Sequence, residues 1–266
     1  MKAIDTQVKT FLSNQPNKFS KVNINQIRDD KGIEVNGYVD LIEYIAKISY
    51  LNPHFAIFFR GQSNDYLNTK KRTTIKPAIF RNDSSNSLKD ALEISENNLL
   101  YEITNDKFFG KSKILLYREI RWAILQHYEI IKTPVVDITS SLNVAISFAL
   151  QKEKVGYLYL LGLPRIYSPF ATYIEESFFL IQLSSVCPPS ALRPFLQEAY
   201  SVGNMPPIDN DGKLKSFDIA YRLIAKFKLN NTENTFKIIE ENLLKPDKSD
   251  KFFKYSIQPK IINAYL

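Results

Sequence analysis

The chain has 266 residues, 44% of them hydrophobic and 24% charged, with a formal net charge of +7. Such a composition supports a sizeable core, and the positive balance favours a polyanionic partner, nucleic acid in particular. A single cysteine, Cys187, excludes an internal disulfide; with only His54 and His127 beside it, neither a zinc site of the usual kind nor another metal is expected. Glycine is scarce, and neither GxGxxG nor GxxxxGK[ST] occurs, so the usual phosphate cradles have no support. The N-terminus lacks the apolar stretch of a signal peptide and no apolar run reaches spanning length, so a cytoplasmic protein without membrane contact is expected.

Residues 1–16 suggest a short helix, with Val8, Phe11 and Leu12 on one face. Residues 18–36 read as polar and irregular, with a strand-like piece at 21–24. Residues 38–51 form an amphipathic helix through Val39, Leu41, Ile42, Ile45, Ala46 and Ile48, stopped by Asn52-Pro53. Residues 55–62, an apolar run ending in Arg60-Gly61-Gln62, form a strand. An arginine ending a buried strand is costly unless it meets an anion; its planar fork suits a phosphate or carboxylate, or else a structural ion pair.

Residues 65–82 carry a basic cluster, Lys70, Lys71, Arg72, Lys76 and Arg81, which suits either polyanion contact or a solvated face. Helices are expected at 84–105, with Leu88, Ala91, Leu92, Ile94, Leu99 and Leu100 as core positions, and at 112–130. Residues 134–139 change from a strand pattern, through Thr139-Ser140-Ser141, to a helix pattern over Leu142, Ala145, Ile146 and Ala149. Asn143 or Ser141 caps that helix. Hydroxyls and first-turn N–H groups converge there, which suits phosphate or ribose oxygens.

Strands follow at 155–162 and 177–187; Cys187, before Pro188-Pro189, reads as a packing residue. Residues 193–202 lead from a loop into a strand or helix, 216–230 alternate in part like a strand, 231–243 look helical, and a basic tail covers 245–260. The expectation is one α+β domain over 1–266 with a mixed or mostly antiparallel sheet. Its core covers about 38–230, between a helical N-terminal segment and the basic tail.

Three segments together resemble the FRG domain, a bacterial domain named for its (F/Y)RG motif. Phe59-Arg60-Gly61-Gln62 matches that motif. Gln126-His127-Tyr128, Asp137-Ile138-Thr139-Ser140-Ser141 and Ala145-Ile146-Ser147-Phe148-Ala149 are similar to a QH(Y/F)G…LLDWT…A…FA block. Arg193 to Tyr200 looks like the later R…Q…F segment, so the resemblance spans about residues 40–202. Glu129 stands where the family usually has Gly, and Ile138 where it has Trp.

The same skeleton looks like the ADP-ribosyltransferase fold, a split mixed or antiparallel sheet flanked by helices. That resemblance implies NAD as co-substrate and a bacterial toxin or anti-phage effector, with an antitoxin as a possible partner. It implies that Arg60, with Gly61 and Gln62, holds the cofactor phosphates. Thr139, Ser140 and Ser141 position the ribose or the catalytic acid, with Ser140 in the catalytic set. His127, Tyr128 and Tyr200 contact the cofactor, and Glu198, or else Gln197, supplies the catalytic function. The basic cluster tilts the acceptor towards nucleic acid, RNA above all. A protein acceptor, hydrolysis of NAD to free ADP-ribose, and a non-catalytic nucleotide or nucleic-acid-binding module are the alternatives.

Overall fold

The computed structural model describes residues 1–81, 86–108, 110–245 and 248–252. Its elements in chain order are β1 (Val8–Leu12), β2 (Gln15–Val22), α1 (Ile24–Asp29), β3 (Ile33–Val35), α2 (Tyr38–Leu51), β4 (Ala56–Gln62), α3 (Asn86–Asn105), α4 (Lys111–Leu116), α5 (Arg118–His127), β5 (Val135–Thr139), α6 (Leu142–Leu150), β6 (Val155–Leu163), β7 (Phe170–Tyr173), β8 (Phe178–Gln182), α7 (Leu183–Val186), α8 (Leu192–Leu196), β9 (Ala199–Asn204), β10 (Leu223–Asn230) and α9 (Glu241–Leu244). Helices combine with a mixed sheet, an α+β architecture. The chain divides into two compact units, each built from discontinuous segments.

The first unit comprises Met1–Ile75, Ile138–Ile166 and Asp218–Glu241. Its strands run in the order β3-β10-β6-β4, with β10 parallel to β3 and antiparallel to β6, and β6 antiparallel to β4. The end of β5 joins β4 through the pair Phe59–Thr139. Helix α6 packs on one face of β4 and β6 because Gly61 and Gly156 make room for it. A Cβ on Gly61 would stand 1.8 Å from the Ala145 carbonyl oxygen, and one on Gly156 2.2 Å from that of Ala149. Small residues on both partners therefore let helix backbone rest on strand backbone.

The N-terminal segment differs from expectation: it is the antiparallel hairpin β1–β2, with Val8 opposite Val22. Val8, Phe11 and Leu12 also satisfy a helical repeat, so periodicity alone does not choose. The turn decides, since the Ser13 N–H (3.0 Å) and hydroxyl (2.7 Å) both donate to Asp30 Oδ1. Residues 18–36, expected to be irregular, contain α1, started by a reciprocal cap: Asn23 accepts from the Gln26 N–H, and Gln26 accepts from the Asn23 N–H. The helix expected at 231–243 is absent apart from the start of α9. Phe236 N donates to Asn231 Oδ1 and Ile239 N to Ser147 Oγ, so side chains take the bonds a helix ladder would need.

The second unit comprises Lys76–Asp137, Tyr167–Phe217 and the chain from Asn242. Strands β9-β8-β7 are antiparallel. The expected strand at 177–187 ends at Gln182 and turns into α7, and β7 was not anticipated. The single helix expected at 112–130 breaks at Tyr117, which is extended (φ −109°, ψ 115°). Arg121 causes the break to be tolerated: its Nη1 donates to the carbonyls of Ile114 and Leu115, replacing ladder bonds. Beneath it, buried Glu96 on α3 accepts from Arg118, Arg121 and the Trp122 indole, tying α3 to α5. Leu88, Ala91, Leu92 and Leu99 are core as expected, but Ile94 is 46% exposed. Residues 253–260 of the basic tail lie outside the described residues.

Candidate functional site

Strand alternation sorts the motif at the end of β4 into two faces. Phe59 and Gly61 face α6, so Arg60 and Gln62 point to the other face. On that face Arg60 lies opposite Tyr159 and Gln62 opposite Tyr157. Continuing across the sheet, Lys226 lies opposite Tyr159 and Lys228 opposite Tyr157. Asp65, just beyond β4, gathers the inner row: it accepts from the Tyr159 hydroxyl (3.0 Å), Lys226 Nζ (2.8 Å) and Thr73 Oγ1 (2.9 Å). Lys226 is 2% exposed, and this pairing is what makes a buried ammonium tolerable. Burial, then the Asp65 charge, push the Tyr159 phenol well above its ordinary range, so it stays a hydrogen-bond donor. Gln62 Oε1 is buried and has no hydrogen-bond partner among the described residues.

The hydroxyl turn follows β5, the strand beside β4. Thr139 pairs with Phe59 on an antiparallel neighbour, so Arg60 and Ser140 lie on opposite sides of that pair along the strands, and Thr139 shares the face of Phe59 while Arg60 points to the other. Thr139 Oγ1 accepts from Ser141 N at 2.9 Å, which shapes the turn. Ser141 is the N-cap of α6, a helix of 9 residues, and makes no side-chain capping bond. The first unit thus holds Arg60, Gly61, Gln62, Thr139, Ser140 and Ser141 on two neighbouring strands, with Gly61 and Thr139 on the α6 face and Arg60 and Gln62 on the other.

The remaining sequence-predicted residues belong to the second unit. His127 is 2% exposed and its pKa is pushed down to about 3 by burial and then by the Arg193 charge, so it is neutral. Its Nδ1 stands 3.9 Å from Asp137 Oδ2, which also accepts, through Oδ1, from the Ser201 hydroxyl at 2.7 Å. Tyr128, expected to stack on the cofactor, is 1% exposed, and its hydroxyl donates to Asp250 at 2.8 Å. Asp250 also accepts from Arg193 N and Phe252 N (2.8 Å each) and is itself buried. Tyr128 is therefore a core residue anchored by the C-terminal segment.

Glu129 closes α5 with φ +57°, while Ile130 N donates to the Leu125 carbonyl. This is the left-handed helix-ending position that favours glycine. The Glu129 carboxylate accepts from Arg193 at 2.5 Å, which offsets part of the backbone cost. Gln197 is buried and its amide donates to the Leu244 carbonyl at 2.5 Å. Glu198 follows at φ +43°, exposed, on the corner between α8 and β9. Tyr200 is half-buried on β9, opposite Gln182. Burial pushes the Cys187 thiol up, as befits a packing residue.

The basic cluster divides. A bridge between Leu67 and Thr73 closes a small hairpin whose tip exposes Lys70 and Lys71. Arg72 is engaged with Asp29 at 2.8 Å. Lys76 and Arg81 belong to the second unit, where both are exposed and Arg81 donates to the Lys76 carbonyl. A cavity of about 290 Å³ in the second unit is lined by Ala78, Leu88, Ile130 and Ile131, with Gln126, Glu129 and Lys132. Among the described residues no group of three or more His, Cys, Asp or Glu could hold a metal ion, and no helix is long and apolar enough to cross a membrane.

Sequence reasoning missed Tyr157, Tyr159, Lys226, Lys228, Asp65 and Asp250. The first four carried a signal. Tyr-Leu-Tyr in β6 and Lys-Phe-Lys in β10 place polar-tipped side chains at alternate positions of otherwise apolar strands, which marks one polar face. The two acids carried none, because each acts on partners far away in sequence.

No curated protein and no solved structure matches the chain. The model of the FRG domain matches residues 56–156, from the start of β4 to the second residue of β6. That stretch contains the arginine strand, the Gln126-His127-Tyr128 segment and the hydroxyl turn, and it is similar to the FRG domain.

Proposed function

We propose that the chain is an NAD-dependent ADP-ribosyltransferase with a nucleic-acid acceptor, serving as a bacterial toxin or anti-phage effector. The observation that supports this reading is the pairing of Phe59 with Thr139, which puts Arg60 and the Thr139-Ser140-Ser141 turn at the start of α6 on neighbouring strands, each within two residues of one shared pair. A planar cation, hydroxyls and a helix N-terminus suit a pyrophosphate linked to ribose. The buried acceptor Gln62 Oε1, without a hydrogen-bond partner among the described residues, adds a polar group that a ligand can satisfy.

Bound NAD would supply an activated N-glycosidic bond whose leaving group, nicotinamide, departs as a neutral amide. Arg60 would hold phosphate oxygens through its fork. Ser140 would position ribose oxygens, with Thr139 shaping the turn through the Ser141 N–H. Glu198 would supply the carboxylate that stabilises developing positive charge and orients the acceptor.

Incubation with labelled NAD and RNA, DNA or lysate, with nicotinamide release followed in parallel, tests the reading. Label on nucleic acid is the expected result, and Glu198→Gln should abolish it. Label on protein changes the acceptor. Release without transfer points to hydrolysis, and no reaction under any condition leaves the binding module.

A further inference from the structure

We infer that the outer row Gln62–Tyr157–Lys228, on the sheet face that carries Arg60, is a nucleotide subsite. The three residues are direct cross-strand neighbours on β4, β6 and β10. They differ from the inner row, where Tyr159 and Lys226 are buried under Asp65 and Thr73. Gln62 and Tyr157 are half-buried, and the Lys228 side chain is 36% exposed. Tyr157 offers an aromatic face on a rigid strand for a base to stack on. Gln62 Oε1, buried and without a hydrogen-bond partner among the described residues, calls for a ligand N–H donor. A purine amino group provides one.

Lys228 supplies the cation for a phosphate. Its contact with Glu34 is loose, 3.7 Å with Glu34 56% exposed, so a doubly charged phosphate can displace it. Spacing fits a nucleotide as well. Neighbouring strands lie ~5 Å apart and alternate residues along a strand ~7 Å, so a base on Tyr157 leaves its phosphate within reach of Lys228 or Arg60. The inference rests on reading Arg60 as a phosphate-facing residue, and it names the chemistry beside it: a base bearing an N–H donor and joined to phosphate. An adenine mononucleotide and one unit of a single strand both present it.

The test is calorimetric titration of the full chain, without NAD, using AMP, ribose 5-phosphate and single-stranded RNA of about eight nucleotides. Tyr157→Ala should weaken AMP or RNA binding about tenfold, and Tyr157→Phe should stay within about twofold of the parent. Ribose 5-phosphate has no base, so Tyr157→Ala should leave it unaffected while Lys228→Ala weakens it. An effect confined to AMP assigns the subsite to a small cofactor; an effect on RNA assigns it to an acceptor strand. Parent-like binding of both probes by Tyr157→Ala, or no binding of either by the parent, would overturn the inference. Because no turnover is required, a failed transferase assay leaves this result standing, and the reverse holds too.

Discussion

Two motif segments inside the family match have opposite fates in the fold. At the end of β4 the side chains alternate, so Gly61 disappears under α6 while Arg60 and Gln62 reach the polar face. At the end of α5, His127 and Tyr128 are both buried, one neutral beside Arg193 and Asp137, the other tied to Asp250. A sequence motif is therefore not by itself a site. The first segment presents polar side chains, whereas the second is frame: Tyr128 shares Asp250 with the Arg193 N–H, and the next residue, Glu129, pairs with the Arg193 guanidinium.

Four substitutions would break or sharpen that contrast. Gly61→Ala should have the largest effect, more than about 3 kcal/mol of stability in chemical denaturation, because its Cβ meets helix backbone that cannot yield. Gly37→Ala is the control: nothing stands within 4 Å of its Cβ, so it should stay within about 0.5 kcal/mol. A tolerated Gly61→Ala would remove the close-packing explanation of the motif glycine.

Asp250→Ala should come next, at about 3 kcal/mol, since it leaves the Tyr128 hydroxyl and the Arg193 and Phe252 N–H groups without their acceptor. Asp250→Asn keeps one acceptor oxygen and should lose less. Equal stability of Asp250→Ala and the parent would show that the C-terminal segment does not anchor Tyr128.

His127 gives a pH signature. Its folded pKa is about 3 against 6.5 unfolded, so below pH 6.5 the unfolded chain takes a proton that the folded chain refuses. The associated loss is absent above that pH and grows by about 1.4 kcal/mol per pH unit on acidification towards pH 3. Denaturation at pH 7 and pH 5 should show a shallower acid loss for His127→Gln than for the parent; matching slopes would mean that His127 is hydrated in the folded state.

Glu129→Gly should have the smallest effect, within about 1 kcal/mol, because relief of the φ +57° backbone opposes loss of an ion pair in which the carboxylate is exposed and Arg193 is buried. A large loss in that variant would promote the Arg193 pair from local compensation to a main support of the second unit.

Much of the first segment was legible in the sequence. The apolar run before Arg60 has one compatible structure, and α2 and α6 follow directly from their apolar repeats. The N-terminal hairpin was not legible, because Val8, Phe11 and Leu12 satisfy a helix as well as a strand until Asp30 fixes the turn. Tyr128 was misplaced for a related reason. Its neighbours in sequence suggest a ligand contact, and only the acid at position 250, distant along the chain, makes it core. The polar sheet face lay in between: the alternation of Tyr157 with Tyr159 and of Lys226 with Lys228 was visible, but their register against Arg60 was not.

The central claim is that Arg60 faces a ligand, and calorimetric titration of NAD into the parent and Arg60→Ala, with thermal unfolding of both, tests it most directly. The account predicts at least about tenfold weaker NAD binding with nearly unchanged stability, and only partial recovery in Arg60→Lys, which lacks the planar fork. Unchanged NAD affinity together with a large drop in stability would contradict it and make Arg60 part of the frame.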